Sequence, residues 1–157
     1  MTLDTSDRAW VAPLAPGQRL ARGVARHLLT HDFVSLPEVV PTPGLRVDVM
    51  ALGPKGEVWV IECKSSRADF KTDQKWQGYL GWCDRFFWAV GSEFPTDLLP
   101  METGLMLADD YDAEIVRMPA PTPLAAARRK VVVQKFARAA ALRLHGVHDP
   151  HALHLSV

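Results

Sequence analysis

Two short stretches rich in β-forming residues, one on each side of a turn at residues 53–56, constrain the fold more than any other feature. The glycines and proline of that turn predict an antiparallel hairpin. Pairing of Gly53 with Glu57 places Asp48 directly opposite Glu62. Directly opposed side chains have Cβ atoms about 4.5–5.5 Å apart, and like charges at that separation repel. The hairpin therefore predicts a site where a positive charge stabilises two facing carboxylates.

Lys64 lies one step along the same face as Glu62, because side chains alternate along a strand. Two carboxylates that hold Mg²⁺ or Mn²⁺, with a lysine beside them, are what metal-dependent phosphodiester hydrolysis requires. The alternative is a structural salt-bridge cluster on the sheet. Alternation turns Cys63 to the opposite face, which favours a buried, inert thiol over a nucleophile. The predicted site is thus Asp48, Glu62 and Lys64.

The order of the remaining patterns predicts an α/β domain with a mixed sheet flanked by helices. The predicted strands, besides the hairpin, are 33–40 (an edge strand, because of Pro37), 86–90 (buried), 104–108 and 114–118. The predicted helices are 17–30 with Leu20, Val24 and Leu28 on one stripe, 72–83 with an inner stripe of Trp76, Tyr79, Leu80 and Cys83, and 123–144, capped by Thr122, with Val133, Phe136, Ala137, Ala140 and Leu144 buried. The predicted organisation is a lead-in (1–16), a core (17–118), a C-terminal helix packed on the core (119–145) and a tail (146–157).

Basic residues form a stripe on the first helix and another on the last, although the formal net charge is zero. Each stripe is either a solvated helix face or a phosphate-contacting surface. The residues are Arg19, Arg22 and Arg26 on the first helix, and Arg128, Lys135 and Arg138 on the last. Asp69, Asp73 and Lys75 are expected to cap and solvate the start of the middle helix, the alternative being that they organise a substrate backbone.

No apolar run is long enough to span a bilayer, and the first residues lack a signal-peptide pattern, so a cytoplasmic protein without a membrane partner is expected. Two cysteines without metal-ligand spacing fit a reducing compartment. The histidines at 145, 148, 151 and 154 are interpreted as part of a mobile tail with incidental metal affinity.

The Asp48 and Glu62-Cys63-Lys64 arrangement resembles the PD-(D/E)xK nuclease superfamily, whose restriction-endonuclease-like fold is a mixed sheet flanked by helices. More narrowly, the chain resembles the MmcB family of bacterial DNA repair proteins. That likeness lies in residues 46–52, Glu62 to Ser66, Asp69-Phe70, Asp73, Lys75-Trp76, Tyr79 and Cys83 to Arg85.

The resemblance implies a Mg²⁺- or Mn²⁺-dependent DNA endonuclease in repair, with Asp48 and Glu62 as metal ligands and Lys64 as the catalytic lysine. Glu38 corresponds to an additional upstream acid. Lys75 and Tyr79 have the spacing of a Gln and Tyr pair in related nucleases, with lysine in the glutamine position.

Two other functions remain open at the level of sequence. One is a non-catalytic module that binds DNA or a repair partner, and the other is a thiol enzyme that uses Cys63. The implied partners are DNA and possibly other DNA repair proteins, and a homodimer is possible.

Overall fold

The computed structural model describes residues 13–73 and 75–152, so most of the predicted lead-in and the end of the predicted tail lie outside the described residues. The described chain forms a six-stranded sheet with helices on both faces. The elements are α1 (Pro16–Thr30), β1 (Val34–Thr42), β2 (Leu45–Leu52), β3 (Val58–Lys64), α2 (Arg67–Thr72), a 3₁₀ segment (Trp76–Trp82), β4 (Arg85–Val90), a short 3₁₀ turn (Thr96–Leu98), β5 (Gly104–Ala108), β6 (Ala113–Arg117) and α3 (Ala126–His148). None of the helices in this part of the chain is long and apolar enough to cross a membrane.

The six strands lie side by side in chain order, from β1 at one edge to β6 at the other. β1, β2 and β3 pair antiparallel, β3, β4 and β5 pair parallel, and β6 returns antiparallel to β5. This mixed sheet confirms the predicted α/β class. The edge position of β1 agrees with the prediction from Pro37, which cannot donate a ladder hydrogen bond.

The hairpin of β2 and β3 has the predicted register. Val49 pairs with Ile61 and Met50 with Val60, and the Gly53 N–H donates to the Glu57 carbonyl at 2.8 Å. Continued by one residue, this register sets Asp48 opposite Glu62.

Each face of the sheet carries its own apolar core. Leu20, Val24 and Leu28 of α1, the predicted stripe, pack on one face with Ile61 and Cys63. The opposite face, which includes Val60, is covered by the 3₁₀ segment and by α3. Because side chains alternate along β3, Glu62 and Lys64 continue the face of Val60.

The helix predicted over 72–83 is wrong in its type and its start. The Ser66 hydroxyl caps α2 by accepting from the Asp69 N–H at 3.1 Å, and α2 ends at Thr72. The chain then enters a 3₁₀ segment, whose three residues per turn direct Tyr79 inward and leave Leu80 42% exposed.

The last helix begins later and ends later than predicted. The Thr122 N–H donates to the Asp84 carbonyl, and the Leu124 N–H donates to the Asp84 carboxylate, both at 2.8 Å. These bonds hold residues 122–124 outside the helix, so Thr122 is not its cap. The helix also continues through Gly146 to His148.

The predicted buried stripe of this helix is correct only in part. The buried residues of α3 are Val132 and Phe136, whereas the predicted Ala137 and Leu144 are exposed. The face of α3 that contacts the sheet begins at Val132, one residue earlier than the predicted Val133. It is limited to the first half of the helix, so Leu144 in the second half is exposed.

Candidate functional site

Asp48 and Glu62 lie where the regular pairing of three strands is interrupted. Pro37 and Val39 of β1 pair with β2, but Glu38 between them has a φ of +54°, in the left-handed region that few non-glycine residues adopt. The Glu38 carbonyl accepts from the Arg143 guanidinium of α3 at 3.0 Å. The backbone of β1 therefore leaves the ladder beside Asp48.

The two carboxylates complete the interrupted ladder. The Asp48 N–H donates to Glu62 Oε1, and the Cys63 N–H donates to Asp48 Oδ2, each at 2.8 Å. Each carboxylate is thus held by a backbone N–H of the facing strand. This reciprocal arrangement fixes both side chains without a lysine or an arginine between them.

Burial makes full ionisation of this pair unfavourable. Burial, and then the charge of Asp48, raises the pKa of Glu62 to about 9, and burial also raises the pKa of Asp48. Two carboxylates in one site cannot both ionise freely without a counter-charge. At neutral pH the pair therefore retains a proton, which a bound cation would displace.

Lys64 is on the predicted face, but its ion pairs are with acids that follow it in the chain. Its Nζ lies 2.8 Å from Asp73 Oδ2 and 3.9 Å from Asp69 Oδ1. The Lys64 and Asp73 side chains are each only 9% exposed. Burial lowers the pKa of Lys64, but the hydrogen bond and charge of Asp73 outweigh it, and the net pKa is raised. The ammonium is therefore charged and fixed in position.

Asp73 does not have the capping role that the sequence suggested. It follows the last residue of α2 and binds Lys64, and its Oδ1 also accepts from the Lys75 N–H at 3.0 Å. The helix cap is Ser66, and Asp69 contributes its own N–H to that cap.

These groups line a cleft of about 900 Å³ between α1, the β1–β2 edge and α2. Glu38, Lys75 and Tyr79, all named from the sequence, lie on its wall, as does Arg22 of α1. The Tyr79 hydroxyl donates to the Arg46 carbonyl at 3.1 Å. Burial, followed by the charges of Glu62, Asp73 and Asp48, raises the pKa of Tyr79, so the hydroxyl keeps its proton.

The sequence interpretation missed Arg46, which also lines the cleft. The signal was present, because Arg46 precedes Asp48 by two residues in β2 and alternation places both on one face.

The donor set of the cleft fits a hard cation. Asp48 and Glu62 supply oxygen ligands, and Mg²⁺ commonly binds to one or two carboxylates with water as its remaining ligands. Within residues 13–73 and 75–152, no three His, Cys, Asp or Glu side chains form a group that could hold a metal. Glu38 lines the same cleft, and its role as an additional metal ligand stays a prediction.

Cys63 is buried in the core beneath α1, on the face that alternation predicts, where it borders the cleft. Burial, followed by the charges of Asp48 and Glu62, raises the pKa of its thiol. A protonated, buried thiol is inert, which argues against the thiol-enzyme hypothesis.

The two basic stripes lie on opposite faces of the sheet. Arg19 and Arg22 of α1 contact the β5–β6 turn, with Arg19 Nε 4.0 Å from Asp110 Oδ2 and Arg22 Cζ 5.8 Å from the centre of the Tyr111 ring. On α3, Arg128 stacks on the Trp82 ring at 3.9 Å and donates to the Gly81 carbonyl. Arg26, Lys135 and Arg138 are exposed.

Comparison with known proteins gives a consistent assignment. A family model described as DNA repair protein MmcB-like matches residues 16–151. A solved structure described as SPO1766, a protein of unknown function from Silicibacter pomeroyi, is 69% identical, with a TM-score of 0.87 over 89% of this chain and 96% of that one. No curated protein matches the chain. The chain belongs to the MmcB-like family of DNA repair proteins.

Proposed function

We propose that this protein is a divalent-metal-dependent DNA endonuclease of the PD-(D/E)xK type that acts in DNA repair. The observation that carries the proposal is the facing pair Asp48 and Glu62, buried at the end of a hairpin and held by each other's strands. A fold gains no stability from such a pair unless a cation occupies the site. The family description supports the repair role.

Asp48 and Glu62 would hold the Mg²⁺ or Mn²⁺ ion. When bound, such an ion polarises a phosphate and lowers the pKa of a water molecule. Lys64 supplies a fixed positive charge on the same face, which stabilises the negative charge that develops on the phosphate. Asp73 orients that ammonium through its 2.8 Å ion pair.

The cleft would bind the DNA backbone through its remaining cations. Arg22, Arg46 and Lys75 lie on its wall, where each can contact a phosphate oxygen. The Tyr79 hydroxyl is committed to the Arg46 carbonyl, so Tyr79 acts by holding the β2 backbone in place. Contacts to other DNA repair proteins, homodimerisation and a cytoplasmic location belong to the same proposal.

A cleavage screen tests the proposal. Single-stranded, duplex, branched and crosslinked DNA are incubated with Mg²⁺ or Mn²⁺ and with the parent, Asp48→Asn, Glu62→Gln and Lys64→Met proteins. Each of these variants is expected to lose at least about a hundredfold in rate, in line with the loss of one preorganised charge. Glu114→Gln, at an exposed carboxylate of β6, is the matched control and should cleave like the parent. Cleavage by Glu62→Gln at the parent rate would overturn the assignment.

A non-catalytic DNA-binding module is the second candidate. It is favoured by the ion pair between Lys64 and Asp73, in which the negative charge of Asp73 offsets the positive charge of the lysine, and by Lys75 in the position of the expected glutamine. Retained binding of any of these DNA substrates, without cleavage in either metal, would support this second function.

A further inference from the structure

A pair of histidines on the last turn of α1 lies outside the cleft and takes no part in the proposed hydrolysis. His27 and His31 are four residues apart, so they occupy the same face of the helix. Their Nε2 atoms are 3.1 Å apart, and their ring centres are 4.8 Å apart at an angle of 65°. The two nitrogens therefore converge on one point in front of the helix.

This separation matches two imidazole ligands on one metal ion. Metal–nitrogen bonds of about 2.0–2.1 Å to both atoms would enclose an angle of about 100°. That angle lies between the values for octahedral and tetrahedral coordination. Without a metal, the same distance allows a hydrogen bond between a protonated and an unprotonated Nε2.

An acid lies beside the second ring nitrogen of His27. Its Nδ1 lies 3.5 Å from Asp112 Oδ1, so Nδ1 faces the carboxylate while Nε2 faces His31. A carboxylate on the second nitrogen is the usual partner of a metal-binding histidine, because it fixes the ring and increases its basicity.

Asp112 is itself held in place. The Asp109 carboxylate accepts from the N–H groups of Tyr111 and Asp112, at 2.8 and 2.9 Å. On α1, Gly23 packs so closely on the carbonyls of Asp109 and Asp112 that a Cβ would lie 1.9 Å from the Asp109 oxygen. The turn and the helix are thus fixed relative to each other.

The electrostatic surroundings favour a cation. His31 caps the C-terminal end of α1, where the helix dipole is negative. Asp109, Asp110 and Asp112 face this region, and two guanidinium groups of α1 already contact the same turn: Arg19 Nε lies 4.0 Å from Asp110 Oδ2, and Arg22 lies over the Tyr111 ring.

We propose that His27 and His31 bind one divalent transition-metal ion through their Nε2 atoms, with water as the remaining ligands. Imidazole nitrogen selects Zn²⁺, Ni²⁺ or Cu²⁺ over Mg²⁺. Asp112 is the positioning residue for His27. The site is separate from the carboxylate pair and takes a different class of metal.

Binding of Ni²⁺ and Zn²⁺ to the full chain by isothermal titration calorimetry tests the proposal. The C-terminal histidines at 145, 148, 151 and 154 are changed to glutamine in every protein used, and excess Mg²⁺ occupies the carboxylate pair. One ion per chain is expected. His27→Gln and His31→Gln should each weaken binding at least about tenfold, and Asp112→Asn about tenfold. Asp32→Asn, beside His31, is the matched control and should bind like the parent.

A second measurement, separate from the calorimetry, uses the protein with all six of its histidines. Substoichiometric Cu²⁺ should broaden the ring proton signals of His27 and His31 in the nuclear magnetic resonance spectrum before those of other histidines. Equal binding by His27→Gln and His31→Gln, or broadening elsewhere first, would overturn the site.

Discussion

Glu62 is a residue whose negative charge destabilises the folded chain. Its side chain is buried beside a second carboxylate, and the backbone N–H of Asp48 is its direct partner. A glutamine of the same shape would keep that hydrogen bond and remove the charge. An acid at this position therefore fits a role in binding a cation rather than a role in folding.

Glu62→Gln should raise the free energy of unfolding of the metal-free protein by roughly 1–3 kcal/mol near pH 8. The pKa of Glu62 is about 9 in the folded chain, against 4.5 for the free group. The folded chain then retains a proton that the unfolded chain releases, so the stability contributed by this group is lost as pH rises from 4.5 to about 9. The gain from glutamine should be smallest near the lower pH and grow across this interval. Urea unfolding in the presence of a metal chelator, at several pH values, measures this gain in the free energy of unfolding.

Glu114→Gln is the control for that measurement, because its side chain is exposed and its removal should give no gain that depends on pH. A gain for Glu62→Gln that is equal at all pH values would contradict the explanation.

Asp73→Asn should lower the free energy of unfolding by about 3 kcal/mol, because it leaves the buried Lys64 ammonium without its closest counter-charge. Asp69→Asn is the matched control: its carboxylate is 3.9 Å from Nζ and 42% exposed, so it should cost less than about 1 kcal/mol. The Lys64→Met and Asp73→Asn double variant should recover part of the loss. A double-mutant cycle by thermal unfolding measures the coupling, and additive losses would contradict a direct pair.

At the scale of elements, one acid at the start of β4 attaches α3 to the sheet. Asp84 accepts from the N–H groups of Val58 and Leu124 and from both terminal nitrogens of Arg129, at 2.6–2.8 Å. The Arg129 bond and these N–H groups outweigh burial and lower the pKa of Asp84. The carboxylate is thus ionised in the folded chain, with its hydrogen-bonding capacity filled.

Arg129→Lys should destabilise the protein by roughly 1–3 kcal/mol, because an ammonium cannot make the two parallel bonds of the guanidinium. The faster hydrogen exchange that results should be concentrated in the first turns of α3. Lys130→Arg, at an exposed position in the same turn of the helix, is the matched control. Unchanged exchange in α3 would show that Asp84 does not hold this helix.

The elements predicted correctly are those whose signals are local. The hairpin register follows from strand alternation and a short turn, and the stripe of α1 follows from helical spacing. The error at the start of α3 depends on a distant contact, because Asp84 holds Leu124 from 40 residues away in the chain. The residues of the candidate site also fall into those that local signals place and those that they do not. Asp48 and Glu62 could be placed by register, whereas the pairing of Asp73 with Lys64 requires the chain to turn back after α2.

At the scale of the whole molecule, the zero net charge conceals two basic regions on opposite faces of the sheet. One lies on α1 and continues through Arg22 into the cleft, which also holds Arg46 and Lys75, and the other lies on α3 across the sheet. A single DNA backbone that reaches Asp48 and Glu62 must pass the cleft, and α3 covers the opposite face from α1. The structure therefore favours the cleft cations over those of α3 as the DNA contacts of the proposed enzyme.

Arg46→Ala and Lys75→Ala should each weaken DNA binding and reduce the slope of log affinity against log salt concentration by about 1, because each removes one phosphate contact. Lys135→Ala and Arg138→Ala remove the same charge from exposed positions on α3 and are the matched controls, with little change expected in slope. Binding is measured by fluorescence anisotropy over a range of salt concentrations, in the Glu62→Gln background to prevent cleavage. Equal losses from the cleft and α3 variants would show that charge attracts DNA without directing it into the cleft. A loss confined to the α3 variants would move the DNA path to the outer face of that helix, away from the carboxylate pair.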